Sequence, residues 1–171
     1  MGLYMYRMTH FNMRTLGSRL VNFVYYIFDA CTEFRVRLVD PKARKPVKAD
    51  YGAAGYDVFS VDDVIIEPGH RQLISTGLSL EVPVHFYVRV APRSGLSLRG
   101  VDIGAGVIDS SYRGTVKVLV INNGTEDFVV TEGTKIAQLI LERCSNVSIF
   151  EVDSLSETER GYGGFGSTGT R

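Results

Sequence analysis

The sequence predicts an all-β fold, a sandwich or jelly-roll-like β-barrel, on three observations. Apolar and polar residues alternate at period two in several short runs. Glycine-bearing turn pairs separate those runs. No long stretch from Phe34 onward carries helical periodicity. Short strands punctuated in this way are the signature of sandwiches and barrels.

The elements follow in order. "FRVRLVD", residues 34–40, alternates up to the Val39–Asp40 step. "HFYVRVAPR" alternates from Phe86, and "TVKVLVINNG" places Val116, Val118 and Val120 on one face. Pro68-Gly69, Arg99-Gly100, Arg113-Gly114, Asn123-Gly124 and Glu132-Gly133 mark the turns. "GTKIAQLIL", residues 133–141, reads either as a short helix or as a strand. No internal repeat or proline-rich linker divides the chain.

At 171 residues the chain is most simply one domain with a substantial core. Its 44% hydrophobic and 22% charged residues are ordinary for a soluble globular protein. Nineteen basic residues balance 19 acidic ones, so no nucleic-acid duplex is expected as a partner. A small polyanion needs only a few placed cations and remains compatible. Cys31 and Cys144 have no paired spacing, and His10, His70 and His85 lie far apart. This argues for reduced thiols in an intracellular compartment, cytoplasm or nucleus, and against a zinc site. Any metal should be a hard cation held by carboxylate, water and phosphate oxygens.

Residues 1–33 stand apart as an N-terminal extension of unknown role. All four methionines, Arg7, Arg14 and Arg19 fall here, and the first acid is Asp29. The apolar run 20–28 is too short for a bilayer, which needs about 20 residues, so no membrane partner is expected. No small-residue cleavage site follows it. Organelle targeting is possible for such a segment, but it is not the favoured reading; a plain extension explains it as well.

Five segments interrupt the β pattern with small and polar residues. "AGYDVFS", residues 54–60, sets Asp57 near a strand start, where a turn role is the simplest explanation. "PRSGLS", residues 92–97, offers a guanidinium on Arg93, a hydroxyl on Ser94 and the exposed amide of Gly95, a set suited to an anion. "GAGVIDSSYRG", residues 104–114, lets a ligand approach the backbone and places Asp109 after an apolar pair. There a carboxylate would be partly dry and fixed, as a general base requires; an Asp closing a hairpin is the structural alternative. "GTKIAQL", residues 133–139, sets Gln138 among apolar neighbours. The C-terminal "RGYGGFGSTGTR", residues 160–171, fits G-x-G-x-x-G in letter only. A dinucleotide-binding turn would open a helix and lead to an acidic residue about 20 positions on.

In this order and spacing, "AGYD", "PRSG", "GVID..YRG", "G.KIAQL" and "RG.GGFGSTG" resemble the five motifs of the trimeric dUTPase family over residues 34–171. The resemblance implies a homotrimer of jelly-roll-like subunits, with a barrel core at 34–153 and a mobile C-terminal arm at 154–171. It implies a dUTP diphosphatase that forms dUMP and pyrophosphate with Mg2+, lowering dUTP and supplying dUMP for dTTP synthesis. Asp109 would activate the water that attacks the α-phosphorus. Tyr112 would pack under the deoxyribose and leave no room for a 2′-hydroxyl. The backbone of the Gly104–Ile108 hairpin, with Gly106, Val107 and Ile108, would read the uracil edge, and a wrong exocyclic group would leave buried polar atoms unpaired. Arg93, Ser94 and Gly95 would hold phosphates. Gln138 would act near them through water, and Asp57 would act through water on the magnesium shell. Lys117 would contribute a backbone contact. In the arm, Arg160 would meet the γ-phosphate, Phe165 would stack on uracil, and Gly166, Ser167 and Thr168 would add donors.

The chain also departs from the usual pattern. Ser110 and Ser111 replace common acidic residues, which predicts tuning at most. Lys135 stands where arginine is usual, and because the two are not interchangeable at a bidentate site a weakened structural pairing is expected. Two rival readings are a dCTP deaminase of the same fold and a non-catalytic trimeric interaction module. The deaminase needs a carboxylate on the strand after the third motif, where this chain has none before Glu126. The interaction module would predict a damaged catalytic set, whereas Asp109, Tyr112, Arg160 and Phe165 are all present.

Overall fold

The computed structural model describes residues 33–164. Its strands are β1 Arg35–Leu38, β2 Tyr56–Phe59, β3 Val64–Ile66, β4 Arg71–Glu81 and β5 Phe86–Ala91. A single helical turn, α1 Ser94–Ser97, precedes β6 Val101–Gly104, β7 Val107–Ile108, β8 Val116–Asn122, β9 Phe128–Val130 and β10 Lys135–Arg143. They form two four-stranded sheets, β1-β4-β8-β6 and β2-β10-β5-β7, with β3 and β9 as a separate pair. Every pairing is antiparallel, so the all-β expectation holds.

Alternation decides which face is buried. In β8, Val116, Val118 and Val120 are at most 1% exposed, and Ile74, Leu78 and Leu80 of β4 join them. Val58, Val88, Ile136 and Leu139 complete one continuous core with the second sheet. Burying each such side chain contributes about 1.5–3 kcal/mol before the entropy cost of ordering it.

The ambiguous segment 133–141 is resolved as a strand rather than a helix. β10 pairs with β2 on one side and β5 on the other, so a central ladder overrides whatever helical tendency "KIAQL" has. Gln138 consequently faces Asp57 on β2 and Ala91 on β5. The helical turn at Ser94–Ser97 was not expected. The Arg93 carbonyl accepts from the Leu96 and Ser97 amides and forms it.

A second difference concerns Gly104–Ile108, expected as a hairpin. β6 pairs with β8 in one sheet, while β7 pairs with β5 in the other. The link Ala105–Gly106 is therefore a corner between sheets, with φ of 55° and 97°. Gly106 is required there twice over. Its φ suits glycine, and a Cβ would lie 2.8 Å from the Val90 carbonyl oxygen. The Gly106 carbonyl in turn accepts from the Val90 amide at 2.8 Å.

On the outer side of the β5–β10 ladder, the Tyr87 hydroxyl donates to Glu142, and Arg89 Nε pairs with Glu142 at 2.6 Å. These two contacts, the tyrosine bond first, hold the Glu142 carboxyl below its ordinary pKa. The same bond raises the Tyr87 phenol. After Arg143 the described chain forms no further strand, and residues 145–162 are exposed.

Candidate active site

The corner opens a cavity of about 330 Å³ between the two sheets. Its wall is the backbone from Ile103 to Asp109, with Tyr112 and β8 residues Val116–Leu119 across from it and Leu73 and Val90 at the sides. Gly106, Val107, Ile108, Asp109, Tyr112 and Lys117 thus share one cavity. Backbone can line it because residues 104–106 carry no side chain larger than a methyl group.

Asp109 follows β7 and is exposed, not partly dry as its apolar neighbours suggested. Val107 is exposed and Ile108 buried, so the alternation of the strand puts the next side chain outside. The Asp109 carboxylate has no hydrogen-bond or ion-pair partner among the described residues; only its carbonyl is used, by the Tyr112 amide at 3.1 Å. Tyr112 is half-exposed and donates its hydroxyl to the Thr115 carbonyl at 3.1 Å.

A second group gathers where β2, β5 and β10 meet. Asp57 lies within β2, its backbone bridged to Val47 and its side chain 12% exposed. Arg93 Nε reaches Asp57 Oδ1 at 3.0 Å, and Lys135 Nζ reaches Oδ2 at 2.8 Å. Lys135, where arginine is usual, thus meets one carboxylate oxygen of Asp57 while Arg93 occupies the other. Asp57 is not a turn residue but an anion divided between two cations. Gln138 Nε2 donates to the Pro92 carbonyl at 2.9 Å and so fixes the peptide ahead of Arg93. A Cβ on Gly55 would run into the Gln138 side chain, which accounts for that glycine. Ser94 and Gly95 are exposed.

The two groups meet along β5, whose Val90 bonds Gly106 and whose end leads through Pro92 to Arg93. None of Asp57, Arg93, Ser94, Gly95 or Gln138 lines the cavity. Arg160 is exposed and bonded within its own turn, Nε to the Gly163 carbonyl at 2.9 Å. Phe165, Gly166, Ser167 and Thr168 lie outside the described residues, as does all but the last residue of the 1–33 extension. Lys135, a departure from the usual arginine in the sequence, is a member of this cluster, and the opposite charges of the first and fourth segments are the signal in the sequence that points to it.

A backbone-lined slot, an aromatic ring, a free carboxylate at the rim and a cationic cluster on the adjoining strand are the equipment of a nucleotide-processing enzyme. The dUTPase family profile matches residues 42–169. The chain is 49% identical over 150 residues to the deoxyuridine 5′-triphosphate nucleotidohydrolase of monkeypox virus, covering 86% of this chain and 99% of that protein. It is 53% identical over 130 residues to the vaccinia virus (strain Copenhagen) protein of the same name, covering 76% and 88%. A mutant of the Staphylococcus bacteriophage 80alpha dUTPase solved with dUpNHpp superposes with a TM-score of 0.74 at 26% identity, over 81% of this chain and 99% of that one. The chain belongs to the dUTPase family.

Proposed function

We propose that this chain hydrolyses dUTP to dUMP and pyrophosphate, with Asp109 as the general base. The observation that carries this reading is the Asp109 carboxylate, unpaired among the described residues, at the rim of the cavity lined by Tyr112 and residues 103–109. A carboxylate with no competing cation is free to take a proton from water. The water oxygen bonds to the α-phosphorus, the bond to the bridging oxygen breaks, pyrophosphate leaves, and the proton passes to Asp109.

The nucleoside end is bound by the cavity. β7 is the edge strand of its sheet, so along Gly106, Val107 and Ile108 the backbone groups that point away from β5 present a fixed pattern to a uracil edge, and the Tyr112 ring packs against the deoxyribose. Lys117 adds its main-chain groups. Selectivity against cytosine follows from leaving such groups unpaired. The phosphates are bound by Arg93, whose Nη groups remain available while its Nε is tied to Asp57, together with Ser94 and Gly95. Gln138 acts on this set by holding the Pro92 peptide.

Among the described residues no group of three or more His, Cys, Asp or Glu could hold a metal ion. A magnesium ion would thus be carried by triphosphate oxygens and water, a ligand set that Mg2+ favours. Asp57 would reach it only through water, using carboxylate lone pairs left over from Arg93 and Lys135. Bound there, the ion would neutralise charge on the triphosphate and favour pyrophosphate as a leaving group.

The separation of the phosphate group from the cavity within one chain supports a site completed between subunits of a homotrimer. Arg160, Phe165, Gly166, Ser167 and Thr168 would belong to an arm (residues 154–171) that closes it, with residues 34–153 as the core. The free, exposed thiol of Cys144 suits a reducing intracellular compartment, and no described helix is long and apolar enough to cross a membrane. Incubation with dUTP, dCTP and Mg2+ tests the assignment. Pyrophosphate from dUTP alone is expected; ammonia from dCTP, or no product, would overturn it.

A further inference from the structure

We propose that Arg113 is a positioning residue, which holds the 109–115 loop in the shape that presents Asp109 and Tyr112 to the nucleotide. The proposal rests on the reading of Asp109 as base and adds a residue to it. Arg113 Nη1 donates to two carbonyls of that loop, Ser110 at 2.6 Å and Tyr112 at 2.9 Å. Its two hydrogens serve one acceptor each. The guanidinium is thereby folded back on its own loop, and it has no carboxylate partner among the described residues.

The ties around it form a closed set. The Asp109 carbonyl accepts from the Tyr112 amide, which makes the turn. The Tyr112 hydroxyl bonds the Thr115 carbonyl. Ser79 on β4 donates Oγ to the Arg113 carbonyl at 2.7 Å, fastening the loop to the sheet. Asp109 and residues 111–114 are exposed, so apolar packing cannot fix this backbone, and polar ties must. The Asp109 carboxylate has no partner among the described residues, so its direction is set by the backbone that Arg113 braces. Reacting groups misplaced by about 1 Å lose on the order of 100-fold in rate.

The test measures kcat and KM for dUTP, with thermal unfolding, for Arg113→Met and Arg113→Lys, each alone and combined with Asp109→Asn. Arg113→Met should lower kcat by about 10- to 100-fold, with a smaller change in KM, and Arg113→Lys should recover part of that loss. In the Asp109→Asn background Arg113→Met should lower kcat no further, because no base remains to be positioned. Unchanged kcat in Arg113→Met beside a crippled Asp109→Asn would overturn the positioning role and leave the base intact. An equal fold-loss in both backgrounds would also overturn it, since Arg113 would then act independently of Asp109. Normal turnover in Asp109→Asn would remove the base reading and this proposal together. If Arg113→Met fails to fold, Ser79→Ala releases only the Arg113 carbonyl and is measured the same way. A smaller kcat loss, absent in the Asp109→Asn background, is then expected; a loss that persists there counts against the proposal.

Discussion

The Asp57 carboxylate is divided between Lys135 at 2.8 Å and Arg93 at 3.0 Å, which links the first, second and fourth of the sequence segments in one cluster. Two cations on one anion leave a net positive charge beside the turn that precedes Ser94 and Gly95. Asp57→Asn should therefore destabilise the fold by about 1–3 kcal/mol, since two cations lose their common partner. Lys135, 40% exposed, matters less: Lys135→Met should cost about 1 kcal/mol or less in stability and raise KM for dUTP more than it lowers kcat. Denaturant unfolding and steady-state kinetics of the two variants check this.

Tyr112 should govern sugar selection. The ring lines the cavity, and its hydroxyl is anchored on Thr115, so it cannot swing aside freely. Tyr112→Ala should raise activity on UTP relative to dUTP, whereas Tyr112→Phe should keep the discrimination and lose about 0.5–1.5 kcal/mol of stability with the hydrogen bond. Comparing kcat/KM for the two nucleotides measures the effect. An unchanged ratio in Tyr112→Ala would remove Tyr112 from the sugar subsite.

Gly106→Ala should be poorly tolerated. The backbone there has φ of 97°, a strained conformation costing about 1–3 kcal/mol for other residues, and the added methyl would press on the Val90 carbonyl. Relief of that contact would disturb the Val90–Gly106 hydrogen bond that joins the corner to β5. A lower melting temperature with a raised KM for dUTP is expected.

One acid-dependent contribution to stability should trace to Glu142. Its carboxyl is held below the ordinary value by Tyr87 and then Arg89, so its folded pKa is lower than its unfolded one. The contribution is therefore fully present above the unfolded pKa and disappears as pH falls through the folded pKa. Glu142→Gln should flatten that part of the acid limb of a stability-versus-pH profile and leave the neutral region nearly unchanged in slope.

Much of this architecture was legible in sequence, and the reasons are local. Val116, Val118 and Val120 alternate because one face of β8 is buried, so period two reports the core directly. Gln138 was harder to place: it lies on a strand paired on both sides, where ladder hydrogen bonds outweigh intrinsic propensity, and "KIAQLIL" suits helix or strand alike. The corner at Ala105–Gly106 is a hairpin in the reading that the family resemblance implies, and the small residues 104–106 are compatible with either shape. They do not reveal that the two arms pair in different sheets. Asp109 was assigned by its place in the third segment; its exposure follows from period-two alternation, since Val107 is exposed, Ile108 buried and Asp109 exposed in turn, and the apolar pair before it concealed that signal. The Asp57–Lys135 pair spans 78 positions, from 57 to 135, and the ladder sets Lys135 opposite Phe59 with a bulge before Gln138 meets Asp57, an irregular register that no local pattern shows.

In the proposed reaction, water activated by Asp109 attacks the α-phosphorus of dUTP. Hydrolysis in ¹⁸O-enriched water, followed by mass analysis of both products, tests it most directly. The label should appear in the phosphate of dUMP and be absent from pyrophosphate. Asp109→Asn should keep that labelling pattern while turnover falls by about 10²–10⁴-fold. Label in pyrophosphate would place the attack on the β-phosphorus, and near-normal turnover in Asp109→Asn would show that another group takes the proton.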